Sequence, residues 1–312
     1  MVNELRQAVD CILIGYGGSH AYGTNTVNSD VDIRGIYVNP SEEILGFQRD
    51  SEQYIPEEGD TVLYSIKKMF PLLLQCNPNV IELLGLREQD YLFKDEHGDI
   101  ILDNKEIFLS QNAIRTFGNY AKSQLNRLMN RSGRAVEAVG SNETRSLQKS
   151  IVHIKEKEGL TDIRAEEVDG QPKIFINEGM TMDVFGRVSA ELNNVHADYR
   201  KSVRNDKAVA HNKIAKHMMH LLRLYMMGID ILANHEIITY REVEHDLLMA
   251  IRNGEYLEEN GVTPTKEFEK ILNDYHAKFD DAAAHTTLPA EPDYGKANAL
   301  MMQIVRERLL NK

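Results

Sequence analysis

Residues 17–35, GGSHAYGTNTVNSDVDIRG, carry neither the 3.6-residue period of a helix nor the strict alternation of a strand. Small and polar residues run on until two acids, Asp30 and Asp32, flank a single valine. A buried-strand pattern, DCILIGYG (Asp10–Gly17), leads into the segment, and an alternating one, VDIRGIYV (Val31–Val38), takes over at its end. The fold must therefore supply a sheet that presents a glycine turn beside paired carboxylates. On a strand, residues two apart share a face, which predicts that Asp30 and Asp32 project together with Cα atoms roughly 6.5–7 Å apart. Like charges so placed repel unless a cation sits between them. Hard oxygen donors favour Mg²⁺ or Mn²⁺, and two such ions can activate an attacking hydroxyl and stabilise a leaving phosphate. Gly17 and Gly18 let backbone approach a phosphate closely, and Ser19 adds an N–H and a hydroxyl. Together these features point to phosphoryl or nucleotidyl transfer. No G-x-x-x-x-G-K-[ST] occurs, and GYGGSHAYG lacks the register of a dinucleotide fingerprint, so a P-loop and a Rossmann site are both excluded.

The neighbouring pattern supports a small α/β unit. DTVLYSI (Asp60–Ile66) reads as a third strand, followed by a helix candidate, KKMFPLLLQC, that Pro71 kinks or delays. Asn77-Pro78 restarts a helix with proline at its first position. Beyond about residue 105 the period becomes helical, with Ile114, Phe117, Ala121, Leu125 and Leu128 on one stripe. Residues 132–182 form a polar, glycine-bearing excursion, with a β-hairpin around GQPKIFINEG. A long helix is predicted over about Asp206–Ala233. Further starts fall at Thr239, with Glu242 completing a capping box, at Thr263-Pro264, and at a capping Asp293. The expected organisation is a catalytic domain over 1–108 and a mostly helical domain over 109–312.

The formal net charge of −12 argues against a general polyanion binder, but its distribution is uneven. Residues 1–110 carry 8 basic and 19 acidic side chains, residues 111–230 carry 19 and 14, and residues 231–312 carry 9 and 15. An anionic ligand is thus expected at the middle third. There, HNKIAKHMMHLLRLYMMG sets Lys213, Lys216, His220 and Arg223 on one helical face, with Ile214, Met218 and Leu222 opposite. His217 and His220 lack the i, i+4 spacing of a helical zinc site. Tyr120 and Gln124, one turn apart, suit either a base or helix packing. Arg34 suits either the aspartates or a phosphate, and Tyr22 reads as structural. The only cysteines, Cys11 and Cys76, read as ordinary reduced thiols. No apolar run approaches a membrane span and no secretion signal opens the chain, so the cytosol is the expected compartment.

GGSHAYGTNTVNSDVDIRGIYV resembles the G-S-x-A-Y-G…S-D-x-D signature of the DNA polymerase β nucleotidyltransferase superfamily. It is most similar to an RNA-ligase-associated branch. LYSIKKMFPLLLQCNPNVIELLG, FGNYAKSQLNRL, HMMHLLRLYMMGIDIL, LLMAIRNGE and LPAEPD extend the likeness over most of the chain outside 132–182. The resemblance implies an α+β fold, a small polymerase-β-like mixed sheet with helices followed by a mostly α-helical domain. It also implies a metal-dependent transferase that moves NMP from an NTP to an acceptor with release of pyrophosphate. Two Mg²⁺ (or Mn²⁺) ions would be held by Asp30, Asp32 and a third acid. Asp60 is the choice for that acid, with Glu52, Glu57 and Glu58 close in sequence. Gly18, Ser19, Lys213, Lys216, His220 and Arg223 would meet the phosphates. The acceptor is an RNA end or tRNA-like hairpin, with a protein side chain or small molecule left open. A non-catalytic NTP-binding regulator, antitoxin-like, that retains the fold is the alternative, and a metal-dependent phosphohydrolase is the third reading.

Overall fold

The computed structural model describes residues 2–57, 59–140, 143–168, 171–193 and 213–310. Five strands, β1 (Asp10–Tyr16), β2 (Asp32–Val38), β3 (Gln53–Tyr54), β4 (Asp60–Ser65) and β5 (Tyr91–Lys94), form a mixed sheet in the order β3-β4-β2-β1-β5. Only β2 and β4 run parallel; the other pairs are antiparallel. The continuous apolar run CILI lies on an interior strand buried on both sides, Ile12, Leu13 and Ile14 being wholly inaccessible. Gly35 permits the close approach of β2 to β1, because a Cβ there would lie 2.6 Å from the Leu13 carbonyl oxygen.

After β4, Ser65 caps the helix Ile66–Leu74, its hydroxyl accepting the Lys68 N–H at 3.3 Å. Pro71 lies inside this helix without ending it, and Met69, Phe70 and Leu73 bury one face. Asn77 caps Pro78–Ile81, as the Asn-Pro pair implied. Asp293 caps the last helix, Tyr294–Leu310, by accepting the Lys296 N–H at 2.9 Å.

The chain divides into two compact units. One comprises Met1–Leu125, Met218–Asn253 and Lys266–Lys312; the other comprises Asn126–His217 and Gly254–Thr265. The sequence boundary at 108 falls inside the first unit, because later helices return to the sheet. Tyr294–Leu310 packs on Ile66–Leu74, and Gln111 donates through its backbone N–H to the Pro289 carbonyl at 2.9 Å and through its side chain to the Leu288 carbonyl at 2.9 Å. Arg308 and Asp95 form an ion pair that pins the last helix near β1 and β5.

The second unit corrects the expectation of a polar excursion without period. The helix Asn112–Gly140 continues into it, followed by the helix Glu143–Glu158 and a hairpin of β6 (Ile163–Val168) and β7 (Gln171–Ile176). Ile151, Ile154, Leu160, Ile163, Ala165 and Val188 give it a core of its own. Its few apolar residues are drawn from three elements, which hid the pattern from a reading by short windows.

Two helix starts also differ. The helix predicted at Thr239 begins at His245, because the buried Thr239 hydroxyl donates to the Gly85 carbonyl at 2.9 Å instead of capping. The one predicted at Thr263-Pro264 begins at Lys266, Pro264 being held in a bridge with Leu257. The long helix runs over Lys213–Ile229 and continues as a wider π turn over Asp230–Asn234. Residues 206–212, where it was expected to begin, and the hairpin turn at 169–170 lie outside the described residues.

Candidate active site

The site forms where β2 and β4 begin. Parallel register sets Asp32 opposite Asp60, so the first residues of two adjacent strands are both aspartates. Strand pairing starts only at Asp32, which corrects the expectation that Asp30 is a strand residue; Asp30 is exposed in the loop before it. That loop is tied down differently. The Ser29 hydroxyl oxygen accepts the Thr26 N–H at 2.9 Å and the Arg252 guanidinium at 2.8 Å.

The glycine turn packs directly on the acid. Gly17 donates its N–H to the Asp32 carbonyl at 2.9 Å. Gly18 has φ +55°, and a Cβ on it would stand 2.0 Å from Asp32 Oδ2. Only glycine fits there, by conformation and by space. The Ser19 hydroxyl makes no hydrogen bond among the described residues, while the Ser19 carbonyl accepts from Thr24 at 2.9 Å. Arg34 spans the acids: Nη2 lies 3.6 Å from Asp32 Oδ1, and Nη1 donates to the carbonyls of Ile33 at 2.9 Å and Asp60 at 3.0 Å.

Burial pushes the Asp32 carboxyl above the usual carboxylate range. Arg34 opposes the rise, and the charges of Asp60 and Asp30 add to it. Burial thus sets the direction of the Asp32 shift, and the two neighbouring acids act on it against Arg34. Among the described residues, no three His, Cys, Asp or Glu side chains already converge at metal-ligand range. Of the other acids considered, Glu52 pairs with Lys68 at 2.9 Å, and Glu58 lies outside the described residues.

Residues 3–303 match the RlaP family, described as the RNA repair pathway DNA polymerase beta family. The chain belongs to this family. The mixed sheet and helical carboxyl-terminal region of this RlaP-family protein are the polymerase-β-like architecture that the sequence resemblance implied. A curated relative from Enterobacteria phage T4, an uncharacterized 38.9 kDa protein of the nrdC–mobD intergenic region, is 29% identical over 126 residues. That match covers 36% of this chain and 37% of the phage protein. No solved structure matches the chain.

In this RlaP-family chain, the helix Lys213–Ile229 brings two of its four basic-stripe residues to the first unit. Arg223 is 6% exposed, with its guanidinium 3.4 Å from the Tyr22 ring centroid and its Nε without a hydrogen-bond partner among the described residues. His220 meets Tyr120 edge-on at 5.8 Å. Ile214, Met218 and Leu222 are buried, as their spacing implied. Lys216 is exposed and belongs to the second unit; of Lys213 only the backbone is described. Tyr22 is structural: it is 4% exposed and contacts Met227 Sδ at 3.8 Å. Gln124 is buried, with Oε1 unpartnered among the described residues.

Two site residues escaped the sequence reading. Glu82, buried under the turn, accepts the Gly18 N–H at 3.5 Å. Burial raises its carboxyl, while Arg223, the Gly18 N–H and the Tyr22 hydroxyl counteract the rise. Arg252 is 6% exposed; burial, and then the charge of Arg223, lower its guanidinium from the ordinary value. The only signals for either were a charge inside an apolar run, VIELL and LLMAIRN. Among the described residues, no helix is long and apolar enough to cross a membrane.

Proposed function

We propose that the chain is a metal-dependent nucleotidyltransferase that moves NMP from an NTP to the end of an RNA acceptor and releases pyrophosphate. One observation carries this reading: Asp32 and Asp60 are register partners on parallel strands, and the Asp32 carboxylate packs against the glycine turn at Gly18. The donor set fits Mg²⁺ or Mn²⁺, because it is all carboxylate oxygen, and a cation bound there would offset the burial that raises the Asp32 carboxyl. Asp30, Asp32 and Asp60 would hold two ions, which when bound supply charge neutralisation at the α-phosphorus and activation of the acceptor hydroxyl.

The chain's own groups do the remainder. Gly18 and Ser19 offer N–H and hydroxyl donors to phosphate oxygens, Arg223 offers positive charge to the pyrophosphate as it departs, and His220 offers it a ring N–H. Asp60, exposed at the start of β4, is placed to accept the proton of the attacking hydroxyl. The acceptor oxygen forms a bond to the α-phosphorus, and the bond to the bridging oxygen breaks with its electron pair leaving on pyrophosphate. Lys213 and Lys216 are assigned to phosphate by their spacing alone, and Lys216→Ala tests this through the apparent KM for NTP.

The decisive assay follows label from NTP in the presence of Mg²⁺ and RNA. Label from the α-phosphate is expected in the RNA, and label from the γ-phosphate in pyrophosphate. Free orthophosphate as the sole product would make the chain a phosphohydrolase. Tight NTP binding without transfer would make it a regulator that retains the fold.

A further inference from the structure

A second polar cavity opens in the first unit between the 75–79 loop and the helix Asn112–Gly140. Its volume is about 440 Å³, and its lining includes Gln75, Asn77, Arg115, Asn119 and Tyr120. Among the described residues, no carboxylate lines it. Arg115 is exposed and makes no ion pair or hydrogen bond among the described residues. The Asn77 side-chain oxygen is occupied by the Asn79 N–H at 3.0 Å, which leaves its amide donors for a ligand. The side chains of Gln75 and Asn119 make no hydrogen bond among the described residues.

A chain of contacts links this pocket to the glycine turn. Tyr120 meets His220 at 5.8 Å; His220 sits one turn before Arg223; and Arg223 covers Tyr22, next to the glycines. Carboxamides pair donors with acceptors as base edges do, a tyrosine offers a face for stacking, and an unpaired arginine suits a phosphate. An isolated cation beside carboxamides and an aromatic ring, with no acid, is the chemistry of a nucleotide with its phosphate.

We propose that this cavity holds the terminal nucleotide of a single-stranded RNA acceptor, its phosphate on Arg115 and its base against Tyr120 and the carboxamides. The inference rests on the transferase reading for its relevance, but its test is separable. Binding of a fluorescein-labelled oligoadenylate is measured by anisotropy, and NTP binding by calorimetry, for the full chain and for Arg115→Gln, Asn119→Ala and Tyr120→Leu.

The expected result is oligonucleotide affinity weakened roughly tenfold by Arg115→Gln, with the slope of log affinity against log salt falling by about 0.7 for the lost phosphate contact. Tyr120→Leu should weaken binding about tenfold or more with an unchanged salt slope. Arg115 and Asn119 are both exposed, so these two variants keep the wild-type melting temperature. NTP affinity should stay at the wild-type value in both. Oligonucleotide affinity unchanged in Arg115→Gln and Tyr120→Leu overturns the inference. So does a loss confined to NTP binding, which would make the cavity the base pocket of the NTP. Oligonucleotide binding that depends on Arg115 in a chain that binds no NTP would uphold this site and remove the transferase reading instead.

Discussion

At the scale of single residues, the site turns on how close one carboxylate comes to one glycine. Gly18→Ala would force a side chain into the left-handed region and onto Asp32, costing about 1–2 kcal/mol from backbone conformation alone. Its expected signature is a lowered Tm together with loss of Mg²⁺-dependent NTP binding, read by calorimetry; NTP binding at the wild-type affinity would mean the turn does not position the acid. Asp32 itself gives a pH test. Its folded-state carboxyl lies above the ordinary aspartate value, so between those two values the folded chain keeps a proton that the unfolded chain has released. Stability therefore falls as pH rises through that window. Without divalent ions, Asp32→Asn is expected to raise Tm at neutral pH, and the gain should vanish once pH falls below the ordinary aspartate range. A Tm lowered by this substitution at neutral pH would show that Arg34 outweighs burial and the neighbouring acids.

Among the elements, the aspartate loop is held from outside the sheet. Ser29 accepts Arg252, which comes from the helix His245–Asn253, so that helix anchors the loop that carries Asp30. A double-mutant cycle of Ser29→Ala and Arg252→Ala should give a coupling of about 1 kcal/mol in stability, and Ser29→Ala alone should lower kcat with little change in the KM for NTP. Additive effects would remove that link. Much of this scale was legible in the sequence. The apolar CILI run marked an interior strand, the glycine pair marked the turn before Asp32, and the Asn77-Pro78 and Asp293 caps fell where their chemistry required. What stayed hidden depends on partners far away in the chain. Glu82 is 64 residues from Gly18 and Arg252 is 223 from Ser29, and a charge in an apolar run carries no mark of the group that will meet it. Thr239 shows the same effect in reverse, since its capping pattern is sound locally but its hydroxyl is taken by Gly85.

For the whole molecule, two units with separate cores imply separable stability. Ile154 is buried within the second unit's own cluster, so Ile154→Ala should cost about 2–5 kcal/mol there. Calorimetry is expected to show one transition moved and the other left in place; a single transition shifted as a whole would mean that the units unfold together. The sequence placed a boundary at 108 because period changes there, yet the returning carboxyl-terminal helices complete the first unit, and no local pattern announces which earlier element a late helix will cover. Across both units the central claim remains that the acids opening β2 and β4 serve nucleotidyl transfer. The most direct measurement is incorporation of α-labelled NTP into RNA with Mg²⁺ by wild type, Asp32→Asn and Asp60→Asn, with Tm recorded for each. Incorporation by wild type and a loss of at least a hundredfold in folded Asp32→Asn is the expected result; incorporation at the wild-type rate by that variant would contradict the claim.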